Sequence, residues 1–286
     1  MSDSEQIPFM NVDQTDFSSM SRAEQIRHLE VEGFLVLPRL LPPETIAAIK
    51  EEMADAEMWH PDYSALQQRA VTQPQWTSPE AARTIGHPDL TDVLHDLMGA
   101  NIVFTRGFYQ RSLPGCPGIS MHTDGQPHGS DLFGYEGSCP RLLRVLIYLD
   151  DLTDQRAPFR LIPRSHLSFH ADASPYRRYA WHPEEVTLIV PAGSAVLVPS
   201  MLMHGSHPNH DSVSRELLQL GYRPAWAGPV QPVDEWDPQL VERAPTETQP
   251  YLQSLNTSEQ RWVQPNKPAG MKSEAAGINP SRWGDR

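Results

Sequence analysis

A histidine and an aspartate stand two residues apart in the segment Met121-His122-Thr123-Asp124-Gly125. If this segment is extended, both side chains point to the same face, because successive side chains of a strand alternate. One imidazole and one carboxylate on that face are two of the three ligands of the facial triad that holds non-haem Fe(II). A chain with 12 histidines contains such a pair by chance. A loop histidine beside a solvated aspartate therefore stays an alternative until a third ligand is found.

The third ligand is expected from a distant strand that folds back beside the first. Three histidines follow the predicted strand 194–198: His204, His207 and His210. We prefer His204 because it is nearest to the strand end, whereas Pro208 and Asn209 place the other two in a turn. A neutral imidazole whose second nitrogen is bonded to a carbonyl or carboxylate would complete the site.

A cation downstream of His204 suggests a site for an organic acid. Iron held by three protein groups keeps open positions for O2 and for a bidentate co-substrate. If that co-substrate is a 2-oxo acid, its remote carboxylate needs a cation, and arginine offers a planar fork. Arg215 begins the next predicted strand, and Ser206 is close enough in sequence to add a hydroxyl. The alternative for Arg215 is a surface ion pair.

The composition limits the possible partners. The 286 residues carry a formal net charge of −13 without a basic tail, which argues against nucleic acid. No apolar run reaches the roughly 18 residues of a membrane span. The first residues have neither a basic region nor an apolar core, so we expect no secretory signal and a cytoplasmic location. The two cysteines, Cys116 and Cys139, are expected to be free thiols.

Helical patterns come first along the chain and short strands follow. Ser21 and Glu24 form a capping-box pattern that predicts a helix ending at Gly33. Further helices are predicted from Pro42-Pro43 to about Trp59, from Ser78, and over 89–98, with a loop over 60–77. Strands are predicted over 34–37, 102–110, 142–149, 160–162, 186–190, 194–198 and 216–222. This order predicts an α+β domain built around a β-sandwich or barrel.

The same patterns suggest a division of the chain. Residues 1–20 are polar and aperiodic, as in an N-terminal arm. Residues 21–223 form the single predicted domain, with a helical part over 21–99 and a strand-rich part over 100–223. Residues 224–286 are a Pro-rich extension.

The ordered set of motifs resembles the phytanoyl-CoA dioxygenase family. The set comprises His122-Thr123-Asp124, the strand 144–151, the segment Leu161-Ile162-Pro163-Arg164-Ser165-His166, and His204-Gly205-Ser206 with Arg215. The resemblance implies a double-stranded β-helix (jelly-roll, cupin-like) core with N-terminal flanking helices. It also implies an Fe(II)- and 2-oxoglutarate-dependent dioxygenase that uses O2, hydroxylates a small organic molecule, and converts 2-oxoglutarate to succinate and CO2. His122, Asp124 and His204 would then bind iron, while Ser206 and Arg215 would hold the distal carboxylate of 2-oxoglutarate.

The chain departs from the family pattern at two glycines. Many members carry Gly-Pro-Leu and Pro-Gly-Ser-His, where this chain has Ala157-Pro158-Phe159 and Pro163-Arg164-Ser165-His166. The departure concerns the loop geometry near the site and not the metal ligands. Halogenating relatives have a small residue in place of Asp124, so halogenation is disfavoured.

Residues that contact the substrate are predicted from charge and position. Arg106, Arg144 and Arg160 lie on predicted strands near the site and would receive an anionic substrate, unless they pair with acidic residues. Trp181 belongs to an aromatic segment that would cover the site or, equally, pack on the C-terminal extension.

Three other functions remain open from the sequence. The same iron site is compatible with desaturation, epoxidation or cyclisation of a natural product. A metal-dependent lyase or isomerase would not need Arg215, and a non-catalytic jelly-roll binding protein would not need the complete triad.

Overall fold

The computed structural model describes residues 10–124, 142–167, 182–229 and 232–258. The predicted lid residue Trp181 and the second cysteine, Cys139, lie outside these ranges.

Helices begin where the sequence supplies a cap or a proline. The five helices of the described residues are α1 (Arg22–Glu32), α2 (Pro43–Glu52), α3 (Pro79–Ile85), α4 (Pro88–Met98) and α5 (Pro238–Arg243). Four of them begin at a proline, whose fixed φ suits the first helical position and whose missing N–H is not needed there. Helix α1 has both bonds of the predicted capping box between Ser21 and Glu24, and it ends at Gly33 with a left-handed φ of 88°.

The strands form two antiparallel sheets. They are β1 (Leu35–Leu37), β2 (Met58–Trp59), β3 (Gln67–Ala70), β4 (Ile102–Ser112), β5 (Ile119–His122), β6 (Leu143–Tyr148), β7 (Phe159–Leu161), β8 (Val186–Leu188), β9 (Ala195–Pro199), β10 (His204–Ser206) and β11 (Arg215–Pro224). The large sheet has the order β1-β9-β6-β11-β4-β3-β2, and the small sheet has the order β5-β10-β7-β8. The sheets face each other, since the rings of Tyr148 on β6 and Phe159 on β7 have centroids 6.5 Å apart.

The segment after α2 differs from the prediction. Helix α2 ends at Glu52 instead of near Trp59, and β2 occupies the predicted end of this helix. Strand β3 lies within 60–77, where a loop was predicted. The sequence Gln67-Gln68-Arg69-Ala70 carries no apolar alternation that would mark a strand. It is extended because it pairs with β4, with Gln67 opposite Ser112 and Arg69 opposite Gln110.

Both ends of the described chain pack on the sheets. Val12 bridges Thr187 of β8, and Phe17 is buried against His28 and Phe34. In the C-terminal part, Trp236 stacks on Phe104, with ring centroids 6.0 Å apart. The division into arm, domain and extension stays a prediction.

Among the described residues, no helix is both long enough and apolar enough to cross a membrane.

Candidate active site

Two neighbouring strands of the small sheet bring the predicted triad together. Strand β10 pairs with β5 so that His204 lies opposite His122, and their ring centroids are 4.5 Å apart. Asp124 follows two residues after the end of β5, with carboxylate oxygens 3.8 Å from His122 Nε2 and 4.0 Å from His204 Nε2. One ligand atom from each of the three side chains lies within 4.8 Å of the other two. This spacing suits the donor set of a single metal ion.

Backbone carbonyls fix the orientation of both imidazoles. Nδ1 of His122 donates to the carbonyl of Ser120, and Nδ1 of His204 donates to the carbonyl of Leu202, each over 2.8 Å. A carbonyl only accepts hydrogen bonds, so the proton of each neutral ring is on Nδ1. The lone pair of each ring is therefore on Nε2, which is the nitrogen nearest to Asp124.

Asp124 is held by one backbone bond and one ion pair. Its amide donates to the carbonyl of Ser200 over 2.8 Å, at the end of β9. Its Oδ2 accepts a hydrogen bond of 3.0 Å from Nε of Arg144, whose side chain is only 5% exposed. Burial favours the neutral acid, but the Arg144 guanidinium, the nearby His204 and His122 rings and the hydrogen bond from Arg144 outweigh burial and hold the pKa of Asp124 well below its usual range. The carboxylate is therefore ionised at neutral pH, as a metal ligand must be.

Arg215 is a buried cation without an anionic partner among the described residues. It is 2% exposed, and its Nη2 donates to Ser112 Oγ over 2.8 Å. Its guanidinium carbon lies 5.6 Å from the ring centroid of Tyr148, and its Nε has no hydrogen-bond partner. Burial lowers the pKa of Arg215 from its ordinary value, but an arginine stays charged at neutral pH. Such a site is suited to an organic anion.

Two aromatic rings connect Arg215 with the triad. Tyr148 contacts Arg215 and lies 6.5 Å from Phe159, whose ring centroid is 5.7 Å from that of His204. Ser206 lies opposite Phe159 on β10, and its Oγ accepts a 3.1 Å hydrogen bond from the amide of Ile119. No hydrogen bond joins Ser206 to Arg215 in the parts of the chain that the structure describes.

The phytanoyl-CoA dioxygenase family model matches residues 29–217, which hold the triad and Arg215. The chain belongs to this family. A curated relative, named a probable alpha-ketoglutarate-dependent hypophosphite dioxygenase of Stutzerimonas stutzeri, is 23% identical over 73% of this chain and 80% of its own length.

Solved structures agree in fold. HygX of Streptomyces hygroscopicus, crystallised with nickel and 2-oxoglutarate, is 19% identical and has a TM-score of 0.61, over 72% of this chain and 88% of its own. SnoK, a non-haem alpha-ketoglutarate-dependent carbocyclase from nogalamycin biosynthesis, is 23% identical and has a TM-score of 0.62, over 81% and 94% of the two chains. The predicted α+β jelly-roll fold is thereby confirmed.

Membership of the phytanoyl-CoA dioxygenase family fixes the enzyme class. The chain is a non-haem iron dioxygenase that depends on 2-oxoglutarate, as predicted.

The two family glycines that this chain lacks mark left-handed backbone. Ala157 has a φ of 40° and Arg164 a φ of 65°. The loop geometry is therefore one that glycine adopts at lower cost, and here two L side chains adopt it. The second loop supports His204, because Ser165 Oγ accepts a hydrogen bond from the amide of Met203 over 2.8 Å.

The three arginines predicted to contact substrate lie in different places. Arg144 contacts Asp124 directly. Arg106 lies on β4, opposite Gly221 of β11, and Gly221 in turn lies opposite Arg144 of β6. Arg106 and Arg144 are thus in register on one face of the large sheet, with a glycine between them.

Arg160 lies on the strand next to His204 but on the other face of the small sheet. Arg160 alternates with Phe159 and Leu161, and it lies opposite Gly205 and not opposite His204. Its side chain therefore leaves the other face of the small sheet, where it pairs with buried Glu185 at 3.3 Å.

Sequence reasoning missed Arg69. This residue lies on the unpredicted strand β3, and its guanidinium carbon is 5.6 Å from the ring centroid of Trp59 and 5.7 Å from that of Phe108. The signal that would have found it is pairing with β4, which depends on contacts distant in sequence.

Proposed function

We propose that the protein hydroxylates a small anionic organic molecule, with Fe(II) held by His122, Asp124 and His204. The observation that carries this proposal is the meeting of two Nε2 atoms and one ionised carboxylate within 4.8 Å. Both rings are held in the tautomer that ligation needs, and Arg144 orients the carboxylate. The donor set therefore fits the 2-His-1-carboxylate site of non-haem iron oxygenases.

The residues of the chain also fit 2-oxoglutarate. We propose that Arg215 binds the distal carboxylate, because a buried guanidinium with an unpartnered Nε is stabilised by an anion that the described residues do not supply. Ser206 is proposed to add a hydroxyl donor, since its Oγ only accepts in its bond with Ile119. Tyr148 and Phe159 would form an apolar wall between Arg215 and the triad.

The side chains of the protein would hold the metal ion and exclude water from it. When bound, Fe(II) supplies O2 activation coupled to decarboxylation of 2-oxoglutarate to succinate and CO2. His122 and His204 fix two ligand positions on one face, and Asp124 fills a third. Phe159 and Tyr148, which face each other from the two sheets, would exclude water between Arg215 and the triad.

The anionic character of the substrate is supported by Arg106. No carboxylate of the described residues pairs with it, although the chain as a whole is acidic. Burial and repulsion from Arg144 and Arg69 lower the pKa of Arg106 to about 10. The charge of Asp124 opposes this shift only in part. The name of the hypophosphite dioxygenase relative also points to an anion. A cytoplasmic location stays a prediction.

Metal and co-substrate binding test this proposal directly. Anaerobic titration of Fe(II) and then 2-oxoglutarate should give saturable binding and the visible charge-transfer absorption of an Fe(II)–2-oxo acid complex. His204→Ala should remove both, whereas His207→Ala, three residues further on, should keep both because its ring bonds to Thr187 instead. Equal binding by the His204 variant and the wild type would refute the ligand assignment.

Product analysis then separates hydroxylation from its alternatives. Succinate release should be screened over small organic anions, with mass spectrometry of each product. A gain of one oxygen identifies hydroxylation when the substrate has no double bond, since epoxidation gives the same mass. A loss of two hydrogens identifies desaturation or ring formation, which the likeness to the carbocyclase SnoK makes worth detecting.

A further inference from the structure

We infer that Arg69 and Arg106, which both contact the ring of Phe108, form a binding site for an oxyanion group of the substrate. The inference rests on the proposed function, because it concerns the substrate of the same iron site. It adds Arg69, and it states where the negative charge of the substrate binds.

Arginines and aromatic rings alternate from the protein surface toward Asp124. Trp59 is 42% exposed, and the guanidinium carbon of Arg69 lies 5.6 Å from its ring centroid. Phe108 follows, with the guanidinium carbons of Arg69 and Arg106 at 5.7 and 5.8 Å from its ring centroid. The rings hold both cations in place by cation–π contact and leave their N–H donors unused.

The two guanidinium groups lack the partners that other arginines have. Nε of Arg69 and Nε of Arg106 are buried from solvent without a hydrogen-bond partner, and no carboxylate among the described residues lies within 4.0 Å of either side chain. By contrast, Arg111 and Arg156 each pair with a carboxylate. Both side chains are half-buried, and two cations that contact the same ring repel each other. An oxyanion that contacts both would relieve this repulsion and accept their N–H groups.

Arg106 lies at the level of the proposed metal site. Arg106 is in register with Arg144 across Gly221, and Arg144 bonds to Asp124. A Cβ at residue 221 would lie 2.7 Å from Thr105 Oγ1 and 3.3 Å from Nη1 of Arg144, so this position leaves no room for a side chain beside Arg144. An anion held by Arg69 and Arg106 would therefore place the remainder of its molecule beside Asp124.

Arg106 lies far along the sheet from Arg215, which is proposed to bind the distal carboxylate of 2-oxoglutarate. On β11, Arg215 lies opposite Ser112, whereas Gly221 lies opposite Arg106. The backbones of these two positions are about 20 Å apart along the strand at ~3.4 Å per residue. Arg69 lies opposite Gln110, between the two positions, so its binding of an anion is tested with 2-oxoglutarate already at saturation.

Calorimetric titration of the full-length protein loaded with Ni(II) and saturating 2-oxoglutarate tests the inference. The probes are inorganic phosphate, phenyl phosphate and, as the neutral counterpart, phenol, at constant ionic strength. At least one phosphate probe should bind saturably, at least ~10-fold more tightly than phenol, since each charge-assisted hydrogen bond contributes about one order of magnitude. Arg69→Gln and Arg106→Gln should each weaken that binding at least ~10-fold.

Arg83→Gln is the matched control, because it removes the same charge from an exposed ion pair with Glu80 on α3. It should bind the probe as the wild type does. Binding of neither phosphate probe, or equal binding by both variants and the control, would overturn the inference. So would a rise in the Kd for 2-oxoglutarate in Arg106→Gln with phosphate binding unchanged, since Arg106 would then bind the co-substrate.

The result is independent of the metal assignment. If Ni(II) and 2-oxoglutarate do not bind, the proposed function fails, and the same titration of the metal-free protein still tests the arginine pair. If they bind and the phosphate probes do not, only the inference about the anion site fails.

Discussion

Replacing Arg215 with methionine should stabilise the protein in the absence of 2-oxoglutarate and destabilise it, relative to the wild type, in its presence. The guanidinium is 2% exposed, has no carboxylate partner among the described residues, and leaves Nε without a hydrogen bond. An apolar side chain of similar length removes a desolvated charge that the co-substrate-free protein does not compensate.

The magnitude follows from the few contacts that Arg215 makes. The substitution loses one hydrogen bond to Ser112, about 1 kcal/mol, and one cation–π contact with Tyr148, about 1–2 kcal/mol. Ser112 Oγ keeps its bond to Gln67. Removing the unpaired buried cation gains several kcal/mol, so the free energy of unfolding should rise by about 1–2 kcal/mol. In a chain of this size that rise corresponds to an increase in Tm of roughly 2–6 °C.

Bound 2-oxoglutarate reverses the order of stability. At 100 times its Kd it stabilises the wild type by about 2.7 kcal/mol, whereas the variant should gain little. Differential scanning calorimetry of both proteins with Ni(II) should give the higher Tm to the variant without 2-oxoglutarate and to the wild type with it.

A second buried arginine gives the control. Arg223 is 0% exposed, and its guanidinium donates to the carbonyls of Pro224, Ala225 and Leu255. Arg223→Met should therefore lose several kcal/mol of stability with or without 2-oxoglutarate, because three carbonyls lose their donor. A similar loss in metal-loaded, 2-oxoglutarate-free Arg215→Met would show that Arg215 is already compensated, and an unchanged affinity for 2-oxoglutarate would remove its proposed role.

Three further changes test the loops and side chains around the triad. Arg144→Gln should lower the affinity for Ni(II) about 10- to 100-fold, because the Asp124 carboxylate loses the group that orients it. Titration calorimetry at neutral pH measures this affinity, and a wild-type value would contradict the prediction. Burial and repulsion from neighbouring cations lower the pKa of His207 to about 4, so the unfolded chain binds the extra proton first as the pH falls from 6.5. The free energy of unfolding should be highest above pH 6.5 and decline by roughly 3 kcal/mol toward pH 4. In urea denaturation, the free energy of unfolding of His207→Gln should fall less steeply with pH over this range. Ala157→Gly should cost at least ~1 kcal/mol less than Ala195→Gly, since only residue 157 has a positive φ; equal costs in urea denaturation would argue against strain there.

Local signals in the sequence were sufficient for much of the scaffold. The capping box of Ser21 and Glu24 and the terminal Gly33 predict α1 because all of its determinants lie within one short segment. The apolar run that became β6 is likewise recognised by composition, since a strand buried on both faces needs apolar residues throughout.

Elements that depend on distant partners could not be predicted. Strand β3 is polar in sequence and is extended only because β4 lies beside it. Arg69 was missed with it, and the face on which Arg160 lies could not be predicted because a shift of one residue along a strand reverses the face. Charge and proximity in sequence do not reveal that face.

The candidate site was predictable in residue type but not in its supporting contacts. The spacing of His122 and Asp124 suggested a shared face, and the position of His204 suggested a partner strand. The ion pair of Arg144 with Asp124 follows from the packing of the two sheets, which no local pattern encodes.

The imidazoles of His122 and His204 are each bonded to a main-chain oxygen two residues earlier in the chain. Every amino acid at positions 120 and 202 supplies that same oxygen, so the protonation pattern of the ligands does not depend on any neighbouring side chain. Mutagenesis libraries at Ser120 can therefore reshape the surroundings of the reacting centre without altering how its ligands are presented. The side chains around the metal ligands can therefore change during evolution, while the backbone keeps both imidazoles in the same tautomer.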